Sequence, residues 1–506
     1  MSAAPHTRVR GVRVRVRLSL RRLCRRRSSV VHSSAEVSSY PPVDEIHVAR
    51  PAEDNTNATL FRKKYLLGKK PCVLRGACPQ VAENPPLTRS ELTSLARILP
   101  SRALTRGPTE QPNDWSVTKG RHAVEAFEDS DDGKCSILVV NNIDRLHLGV
   151  SKIADDVLSI IDASGARMVL DDVQISLGAR AGASVGPHTD SYSVFLLQVG
   201  SPKRWVVSSG AVDSLAPHVD DAHVADCPVR VLSDSAIAES KAELLETVVQ
   251  PGDALYVPPH CVHYGSSVDD SDNYTYSVGV LAPSAQDVLL SFAAFASEQA
   301  AFTNHANGST RRFDIVHEVA ALDEEREMSA AHGTISHAHV RATQAFLRSL
   351  ADDEDLVREW LGEHFTEAGM HVMPAHMPLD NDERAVRAPG SRILFDAARS
   401  CLYANGHKHA LSEDNAAWAQ SLADEGIARR CVTDGEKVLA ALLLEEGAIC
   451  VAADAEELAR VREEETMQQG EDYWLGSTSS SWDMAGNPGM DDGWSDVGWG
   501  ADDPND

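Results

Sequence analysis

The stretch VGPHTDSYSVFLLQ, residues 185–198, places a histidine and an aspartate two positions apart at the start of an apolar run. In a β-strand, residues i and i+2 project from the same face, so His188 and Asp190 can direct an imidazole and a carboxylate at one point. Two ligands of a single metal ion require this arrangement. A polar corner that leads into a buried strand is the structural alternative.

A second pair, His218 and Asp220 in the stretch PHVD, repeats the pattern further along the chain. Asp220 is followed by DAHVADCPVR, which lacks apolar alternation, whereas Asp190 leads directly into SVFLLQV. Metal ligands need a fixed geometry, and a strand provides it. The sequence therefore favours the first pair as the metal site.

The third ligand is expected from VVQPGDALYVPPHCVHYG, residues 248–265. Here DALYV predicts a strand, and two prolines end it just before His260 and His263. Two histidines with one carboxylate form the facial ligand set of non-haem Fe(II) oxygenases, which leaves open positions for a co-substrate and dioxygen. Lys203, one hairpin beyond the first pair, is placed to bind the distal carboxylate of a dicarboxylate co-substrate. A solvated residue at a hairpin tip is the alternative for this lysine.

Short β-rich runs dominate the middle of the chain, with turn residues between them and no helix alternating one for one. This pattern favours an antiparallel barrel or sandwich over a doubly wound sheet. Helical periodicity precedes these runs and returns after residue 283. A smaller unit with strand, turn and helix signals follows, and its size is that of a winged helix. The segments that carry these signals are 59–76, 88–99 and 150–164 before the core, 173–179, 193–199, 204–209, 254–259 and 274–281 within it, and 285–301 and 341–365 after it.

Three stretches of the core together resemble the JmjC-domain, cupin-type 2-oxoglutarate oxygenases, and within them the ribosomal oxygenases that hydroxylate arginine in bacteria. They are VQISLGARAGASVGPHTDSYSVFLLQVGSPKRW, ETVVQPGDALYVPPHCVHYG and YSVGVLAP. The resemblance spans roughly residues 58–455 and is strongest over 173–283. It implies an α+β fold: a double-stranded β-helix (cupin/jelly-roll) JmjC core with flanking helices, then a helical dimerisation region and a winged-helix-like C-terminal domain.

The resemblance also implies roles for individual residues. His188, Asp190 and His263 would hold Fe(II), and Lys203 would bind 2-oxoglutarate, with dioxygen as the second co-substrate. His260 would be a neighbour of the metal site rather than a ligand. Further candidates are Thr275 or Ser277 for a hydrogen bond to the co-substrate, and Tyr192 and Ser193 for orienting the substrate; packed positions are the alternative for the strand residues.

Charge is distributed unevenly along the 506 residues. The first 27 residues hold ten arginines and no acidic residue precedes Glu36, which is typical of a transit peptide. We expect a mitochondrial destination, with the plastid as alternative, or the nucleus or nucleolus if this start is a basic tail. Without those arginines the formal charge falls from −27 to −37, which favours a basic partner such as a ribosomal protein and disfavours direct nucleic-acid binding.

The expected organisation has five parts. They are a transit peptide at 1–40, a catalytic domain at 42–284, a dimerisation region at 285–368, a winged-helix-like domain at 385–455 and an acidic, disordered tail at 465–506. No apolar run is long enough to span a membrane. The expected function is hydroxylation of an arginine in a ribosomal protein by a homodimer. The alternatives are a histidyl hydroxylase, a JmjC histone or lysine demethylase, and a catalytically silent cupin-type binding module.

Overall fold

The protein is represented by a computed structural model. It describes residues 40–48, 55–106, 115–128, 135–162, 169–212, 232, 237–238, 240–299, 303–304, 309–310, 337–367 and 384–451. Nearly all of the expected transit peptide, the acidic tail and the second pair, His218 and Asp220, lie outside the described residues. No helix in the described part of the chain combines the length and apolar character that a membrane span needs.

The strands are numbered β1 to β19 in chain order. Their bounds are Glu45–His47, Cys72–Arg75, Ser101–Arg106, Trp115–Lys119, Cys135–Val140, Leu170–Gly178, Val194–Gly200, Lys203–Ser208, Leu244–Val249, Ala254–Val257, His263–Ser267, Asn273–Val280, Thr303–Asn304, Ser309–Thr310, Ala385–Arg387, Ile393–Asp396, Cys401–Ala404, His407–Ala410 and Ile449–Val451.

The α-helices are numbered α1 to α10 in the same way. Their bounds are Asn55–Leu60, Gln80–Glu83, Arg89–Leu95, Ala123–Glu128, Leu148–Asp162, Ala285–Glu298, His337–Ala351, Glu354–Thr366, Glu413–Glu425 and Asp434–Glu445. A π-helical stretch, Phe61–Leu66, continues α1, and short 3-10 helices lie at Gly120–His122 and Ile143–Arg145.

Two sheets form the catalytic core. The larger has the order β1-β2-β10-β7-β12-β6-β5-β3-β4, and the smaller has the order β11-β8-β9. The described pairings are antiparallel except for β1 with β2, which run parallel. The expected cupin-type core is therefore confirmed. Strands β3, β4 and β5 extend the larger sheet beyond the runs that the sequence pattern indicated.

Strand β7 is buried on both faces, which explains its unbroken apolar run. Val194 and Leu196 pack against Trp205 of β8, in the core between the two sheets. Phe195 and Leu197 face the opposite side, where the helices cover the larger sheet. Because both faces are covered, the polar positions that normally alternate along a strand are missing here.

Helix ends in this protein coincide with capping residues. Thr88 caps α3 and Ser284 caps α6, each through a reciprocal capping box. The helical pattern over 341–365 is divided between α7 and α8, because the Asp353 side chain accepts a hydrogen bond from Leu356 N at 3.0 Å and starts a new helix.

The C-terminal unit contains β15 to β19 with α9 and α10. Strands β17 and β18 are joined by the two-residue turn that the sequence predicts, and both of its residues are left-handed, with φ of 48° at Asn405 and 85° at Gly406. Trp418 of α9 is fully buried in the core of this unit. Strands and helices together give the expected winged-helix-like domain.

Candidate active site

His188 and His263 meet across the interior of the core through their backbones. His188 N donates to His263 O at 3.1 Å, and His263 N donates to His188 O at 2.9 Å. His263 begins β11, while His188 precedes β7 in the larger sheet. This single antiparallel bridge places the two imidazole rings 4.2 Å apart between their centroids.

Each ring has its Nδ1 atom directed at a main-chain carbonyl. His188 Nδ1 lies 2.9 Å from Gly186 O, and His263 Nδ1 lies 3.0 Å from Cys261 O. A carbonyl oxygen only accepts, so both Nδ1 atoms carry hydrogen, and in the neutral ring each Nε2 atom is the one that can bind a metal. Such a second hydrogen bond fixes the tautomer in which a histidine binds metal.

Asp190 completes the cluster. Its Oδ2 atom lies 3.4 Å from His263 Nε2, and one ligand atom from each of His188, Asp190 and His263 lies within 4.8 Å of the others. All three side chains are buried. Within the described residues, His188 Nε2 and Asp190 Oδ2 have no hydrogen-bond partner.

A metal ion fits these observations. Buried polar atoms without partners are costly, and a cation between them would satisfy them. Burial and, after it, the neighbouring His188 lower the pKa of His263 to about 4, against the opposing effects of Asp190 and the Cys261 carbonyl. The His263 ring is therefore neutral at pH 7, as a metal ligand must be. The structure brings together the three predicted ligands, and their binding of iron stays a prediction.

His260 lies beside this cluster but outside it. Its backbone is left-handed, with φ of 62°, and its N–H donates to Asp190 O at 2.7 Å. The described group of ligand atoms does not include its ring. His260 thus acts through its main chain, by holding the loop that carries Asp190.

Lys203 lies between the two sheets rather than at a hairpin tip. Its side chain crosses from β8 to β12 and donates from Nζ to Thr275 Oγ1 at 2.9 Å. Burial lowers its pKa to about 7. Among the residues that the structure describes, no carboxylate pairs with it, so a buried cation faces the interior without a counter-ion. A carboxylate group of a ligand would supply that counter-ion.

Trp205 and Gly265 shape the space between the lysine and the metal cluster. The Trp205 ring lies 6.2 Å from the His263 ring and 5.1 Å from Lys203 Nζ. A Cβ atom at Gly265 would stand 2.8 Å from both Lys203 Cε and the Trp205 ring. Only glycine leaves this space open.

The inner face of β12 runs from Thr275, beside Lys203, to Gly279, beside Asp172 and Tyr192. Thr275, Ser277 and Gly279 alternate with residues of the outer core, so they point between the sheets. Thr275 accepts a hydrogen bond from Lys203, so its effect on a co-substrate would be indirect, through the position of the lysine. Ser277 follows Thr275 on the same face of the strand. At the other end, a Cβ at Gly279 would lie 3.2 Å from Asp172 Oδ1 and 3.5 Å from the Tyr192 ring.

Asp171 and Asp172 were not among the predicted site residues. They occupy a β-bulge of β6: Val278 pairs with Val173 and Val280 with Leu170, which leaves two β6 residues opposite Gly279 alone. A bulge re-aims the side chains it contains and commonly lies near an active site. The polar alternation in DDVQISLG was the available signal, since Asp172, Gln174 and Ser176 share one face.

The bulge formed by Asp171 and Asp172, called the acidic bulge below, buries two carboxyl groups close together, which disfavours their charged forms. Burial raises the pKa of Asp172 to about 8, helped by the charges of Asp171 and Asp144. Burial also raises the pKa of Asp171. The pKa of Tyr192 lies well above its usual value, through burial and then the charges of Asp190 and Asp172. Tyr192 follows Asp190 by two residues, and its ring and the Asp172 carboxylate both lie near the Cβ position of Gly279. Ser193 instead bonds to Tyr256, with 3.3 Å between their hydroxyl oxygens.

Comparison with known families and proteins gives a consistent result. A sequence profile of the JmjC domain matches residues 160–288, and one of the ROXA-like winged helix matches residues 349–445. The chain is 24% identical over 352 residues to the ribosomal protein uL16 3-hydroxylase of Escherichia coli, covering 67% of this chain and 82% of that protein. It is 31% identical over 121 residues to a probable ribosomal oxygenase of Haemophilus influenzae, covering 24% of this chain and 26% of that protein.

Solved structures agree with the fold. The ribosomal oxygenase YcfD of E. coli superposes with a TM-score of 0.53 at 21% identity, covering 76% of this chain and 94% of that one. A structure of YcfD in complex with cobalt and 2-oxoglutarate gives a TM-score of 0.52 at 20% identity, covering 72% and 91%. The chain thus contains a JmjC domain followed by a ROXA-like winged helix, and it is homologous to the ribosomal protein uL16 3-hydroxylase of E. coli.

Proposed function

We propose that this protein is an Fe(II)- and 2-oxoglutarate-dependent hydroxylase that acts on a ribosomal protein, with arginine as the target residue. The observation that carries the proposal is the convergence of His188, Asp190 and His263, whose ligand atoms lie within 4.8 Å of one another in an interior that also holds Lys203. Homology to the uL16 3-hydroxylase supports the substrate class. The cobalt and 2-oxoglutarate bound by YcfD support the cofactors.

The three predicted metal ligands would act together to hold the metal. His188 and His263 would bind through their Nε2 atoms and Asp190 through a carboxylate oxygen, so together they would hold the metal on one side and leave its other side open. When bound, Fe(II) with 2-oxoglutarate and dioxygen supplies the oxidation that places a hydroxyl on a carbon, with succinate and CO2 as by-products. The protein binds, orients and shields the reactants.

Lys203 would hold the distal carboxylate of 2-oxoglutarate by a charge-assisted hydrogen bond. Thr275 keeps the ammonium group in place at 2.9 Å, and Gly265 leaves room beside it. Because the lysine lies buried beside Trp205, which also contacts His263, a bound dicarboxylate would extend from Lys203 toward the metal.

An arginine target is supported by the acidic bulge. Asp171 and Asp172 are buried beside Tyr192, next to the metal cluster, and the Asp171 Oδ2 atom has no hydrogen-bond partner among the described residues. A guanidinium group would offset the negative charge that Asp171 and Asp144 place around Asp172 and form charge-assisted hydrogen bonds with Asp172. A neutral imidazole would offer neither advantage, so histidine ranks second.

Succinate formation tests the function directly. Purified protein with Fe(II) and 2-oxoglutarate is assayed with overlapping uL16 peptides, and mass spectrometry locates the added oxygen. We expect succinate above the peptide-free background and an oxygen on an arginine. If every ribosomal-protein peptide leaves succinate at background, the proposal is wrong; oxygen on histidine alone would overturn the choice of arginine.

We also propose a homodimer formed through the helices that follow the catalytic core. Helix α6 exposes Leu289 and Leu290, and α7 exposes Val340 and Leu347. Leu289, Leu290 and Leu347 are 58% to 69% exposed, and we infer that a second copy covers them.

For residues 1–40 we propose the role of an organelle transit peptide, with the mitochondrion as destination. The support is the density of arginine and the lack of acidic residues before Glu36. Imaging a reporter fused to these residues tests it. Mitochondrial fluorescence is expected, whereas a plastid or nuclear signal would replace this destination with one of the alternatives.

A further inference from the structure

One side chain of the C-terminal winged helix reaches the acidic bulge of the catalytic domain. Arg392 Nη2 donates to the backbone carbonyl of Asp171 at 2.9 Å, and the same nitrogen lies 3.6 Å from Asp171 Oδ1. The main-chain contact is thus the shorter of the two. It ties the winged helix to the bulged strand beside the site.

Arg392 is itself held in place from several directions. Its N–H donates to Asn405 Oδ1 at 3.3 Å, and Asn405 N donates to its carbonyl at 3.1 Å. Its Nη1 atom donates to Glu367 O at 3.4 Å, and its side chain is 17% exposed. Two residues earlier, a Cβ at Gly390 would stand 3.1 Å from Arg145 of the catalytic domain. The turn that carries Arg392 is therefore pressed against that domain.

Charged groups surround the guanidinium. Burial and the neighbouring Arg145 lower the pKa of Arg392, while the carboxylates of Asp171, Asp144 and Asp172 act in the opposite direction. Asp144 Oδ1 accepts from Val173 N at 2.8 Å, immediately after the bulge. Tyr192 and Arg102 also lie close enough to interact electrostatically with this group of charges. Two side chains, Asp144 and Arg392, thus hydrogen-bond to the main chain at the bulge, at Val173 N and Asp171 O.

We propose that Arg392 is a positioning residue for the substrate side chain: by holding the Asp171 carbonyl, it fixes the bulge that places the Asp172 carboxylate beside Gly279 and Tyr192. The winged helix is then part of substrate recognition and contributes through its contact with β6. This inference rests on the proposed function, since it assumes a cationic substrate side chain beside Asp172.

Binding of peptides tests the inference on the full chain loaded with Mn(II) and 2-oxoglutarate. The probe is the best uL16 peptide of the succinate assay, together with the same peptide in which citrulline replaces arginine. Arg392→Met removes the donor and keeps the length of the side chain; we expect the Kd for the arginine peptide to rise about tenfold, with little change for the citrulline peptide. Arg392→Lys, which keeps a donor, should recover most of the affinity.

Arg387 provides the matched control. It also joins the winged helix to the catalytic domain, through an ion pair with Asp155 of α5, and within the described part of the chain no hydrogen bond or ion pair links it to the bulge. Arg387→Met should bind the arginine peptide like the wild type. If Arg387→Met weakens binding as much as Arg392→Met does, the domain interface and not Arg392 is responsible. Equal binding by Arg392→Met would also refute the proposal, and so would tighter binding, which would show that the positive charge of Arg392 merely repels the substrate.

Amide hydrogen exchange tests whether Arg392 fixes the bulge independently of the proposed function, because the measurement needs no substrate. Exchange over residues 170–174 and 278–280 should accelerate in Arg392→Met and stay unchanged in Arg387→Met. If no peptide binds to the wild type, the proposed function is wrong, and the exchange result still decides whether Arg392 fixes the bulge. Unchanged exchange in Arg392→Met would overturn the inference whatever the peptide result.

Discussion

His188 and His263 exchange two backbone hydrogen bonds, of 3.1 and 2.9 Å, although they are far apart in the sequence. The bridge fixes the separation of their rings before any metal binds. Preorganised ligands of this kind need little rearrangement to bind a cation, which leads to the first prediction.

His263→Ala should abolish binding of Fe(II) or Co(II), since a buried carboxylate and one imidazole cannot replace a three-ligand site. Metal content after dialysis, measured by mass spectrometry, checks this result. Two control variants, His260→Asn and His218→Ala, should keep a full equivalent of metal. Asparagine suits the left-handed backbone at position 260. Metal loss in His218→Ala with retention in His188→Ala would mean that the other pair binds the metal.

The affinity for 2-oxoglutarate should depend on pH through Lys203. Burial lowers the pKa of this lysine to about 7, and a bound carboxylate would raise it again. Binding therefore takes up a proton above pH 7, so the affinity is constant below that pH and falls above it. Calorimetry with Mn(II)-loaded protein between pH 6 and 9 measures this dependence.

Lys203→Met is the matching variant for that experiment. It should weaken 2-oxoglutarate binding by at least about 30-fold, because the distal carboxylate loses its charged partner in a buried site. Its affinity should no longer change with pH over this range. An affinity that falls equally with pH in both proteins would exclude Lys203 as the responsible group.

Gly265→Ala should weaken 2-oxoglutarate binding by about tenfold or more. The added Cβ would stand 2.8 Å from Lys203 Cε, so the lysine must move, and overpacking of this kind costs about 1–3 kcal/mol. Gly210→Ala is the control, since a Cβ there would have no neighbour within 4 Å. Titration of both variants with 2-oxoglutarate checks the difference. Equal affinities would show that the site has room to spare around the lysine.

Asp172→Asn should stabilise the protein at alkaline pH while impairing turnover of an arginine substrate. Burial raises the pKa of Asp172 from 3.8 to about 8, so the folded state binds more protons than the unfolded state between these values. Stability from this group therefore falls as the pH rises from about 4 to about 8. We expect Asp172→Asn to gain about 1–2 kcal/mol in the free energy of unfolding at pH 8 and nothing near pH 4.

Urea denaturation at both pH values measures this gain. Asp253→Asn is the contrasting variant: Asp253 Oδ2 lies 2.6 Å from Arg75 Nη1, and its Oδ1 accepts from Gly76 N at 2.8 Å. Breaking that ion pair should lower stability at pH 8. A loss of stability in Asp172→Asn at pH 8 would contradict the unfavourable energy that we assign to the buried, charged carboxylate of Asp172.

Leu289→Glu should convert the proposed dimer into a monomer. This leucine is 69% exposed on α6, and a charge in an apolar interface between copies would be buried without a partner. Sedimentation velocity measures the mass. Val432→Glu is the control, because Val432 is equally exposed, at 72%, but lies in the winged helix. A wild type that sediments as a monomer would disprove the dimer itself.

Much of the site was predictable because its signals are local. The two-residue spacing of His188 and Asp190 and the proline pair before His263 are visible in the sequence itself, although the structure places His188 and Asp190 in the loop before β7 and not within a strand. The Asn405–Gly406 turn follows in the same way from backbone preferences of two residues. Each of these predictions depends on interactions within a few positions of the chain.

Other features could not be predicted because they depend on pairing between distant strands. The bulge at Asp171–Asp172 exists only because β12 offers Gly279 alone opposite two residues of β6. Strands β3 to β5 likewise lack a distinctive pattern of their own and become part of the sheet through their neighbours.

The amino-acid sequence by itself determined which side chains are able to bind a metal and a dicarboxylate, because residue type sets the chemistry of each ligand. Only the tertiary structure decided that Lys203 lies buried without a carboxylate partner among the described residues, and that Arg392 of the winged helix reaches the acidic bulge. The physical reason is that burial, and with it the energy of a charge, arises from elements brought together by packing, which no local stretch of the chain encodes.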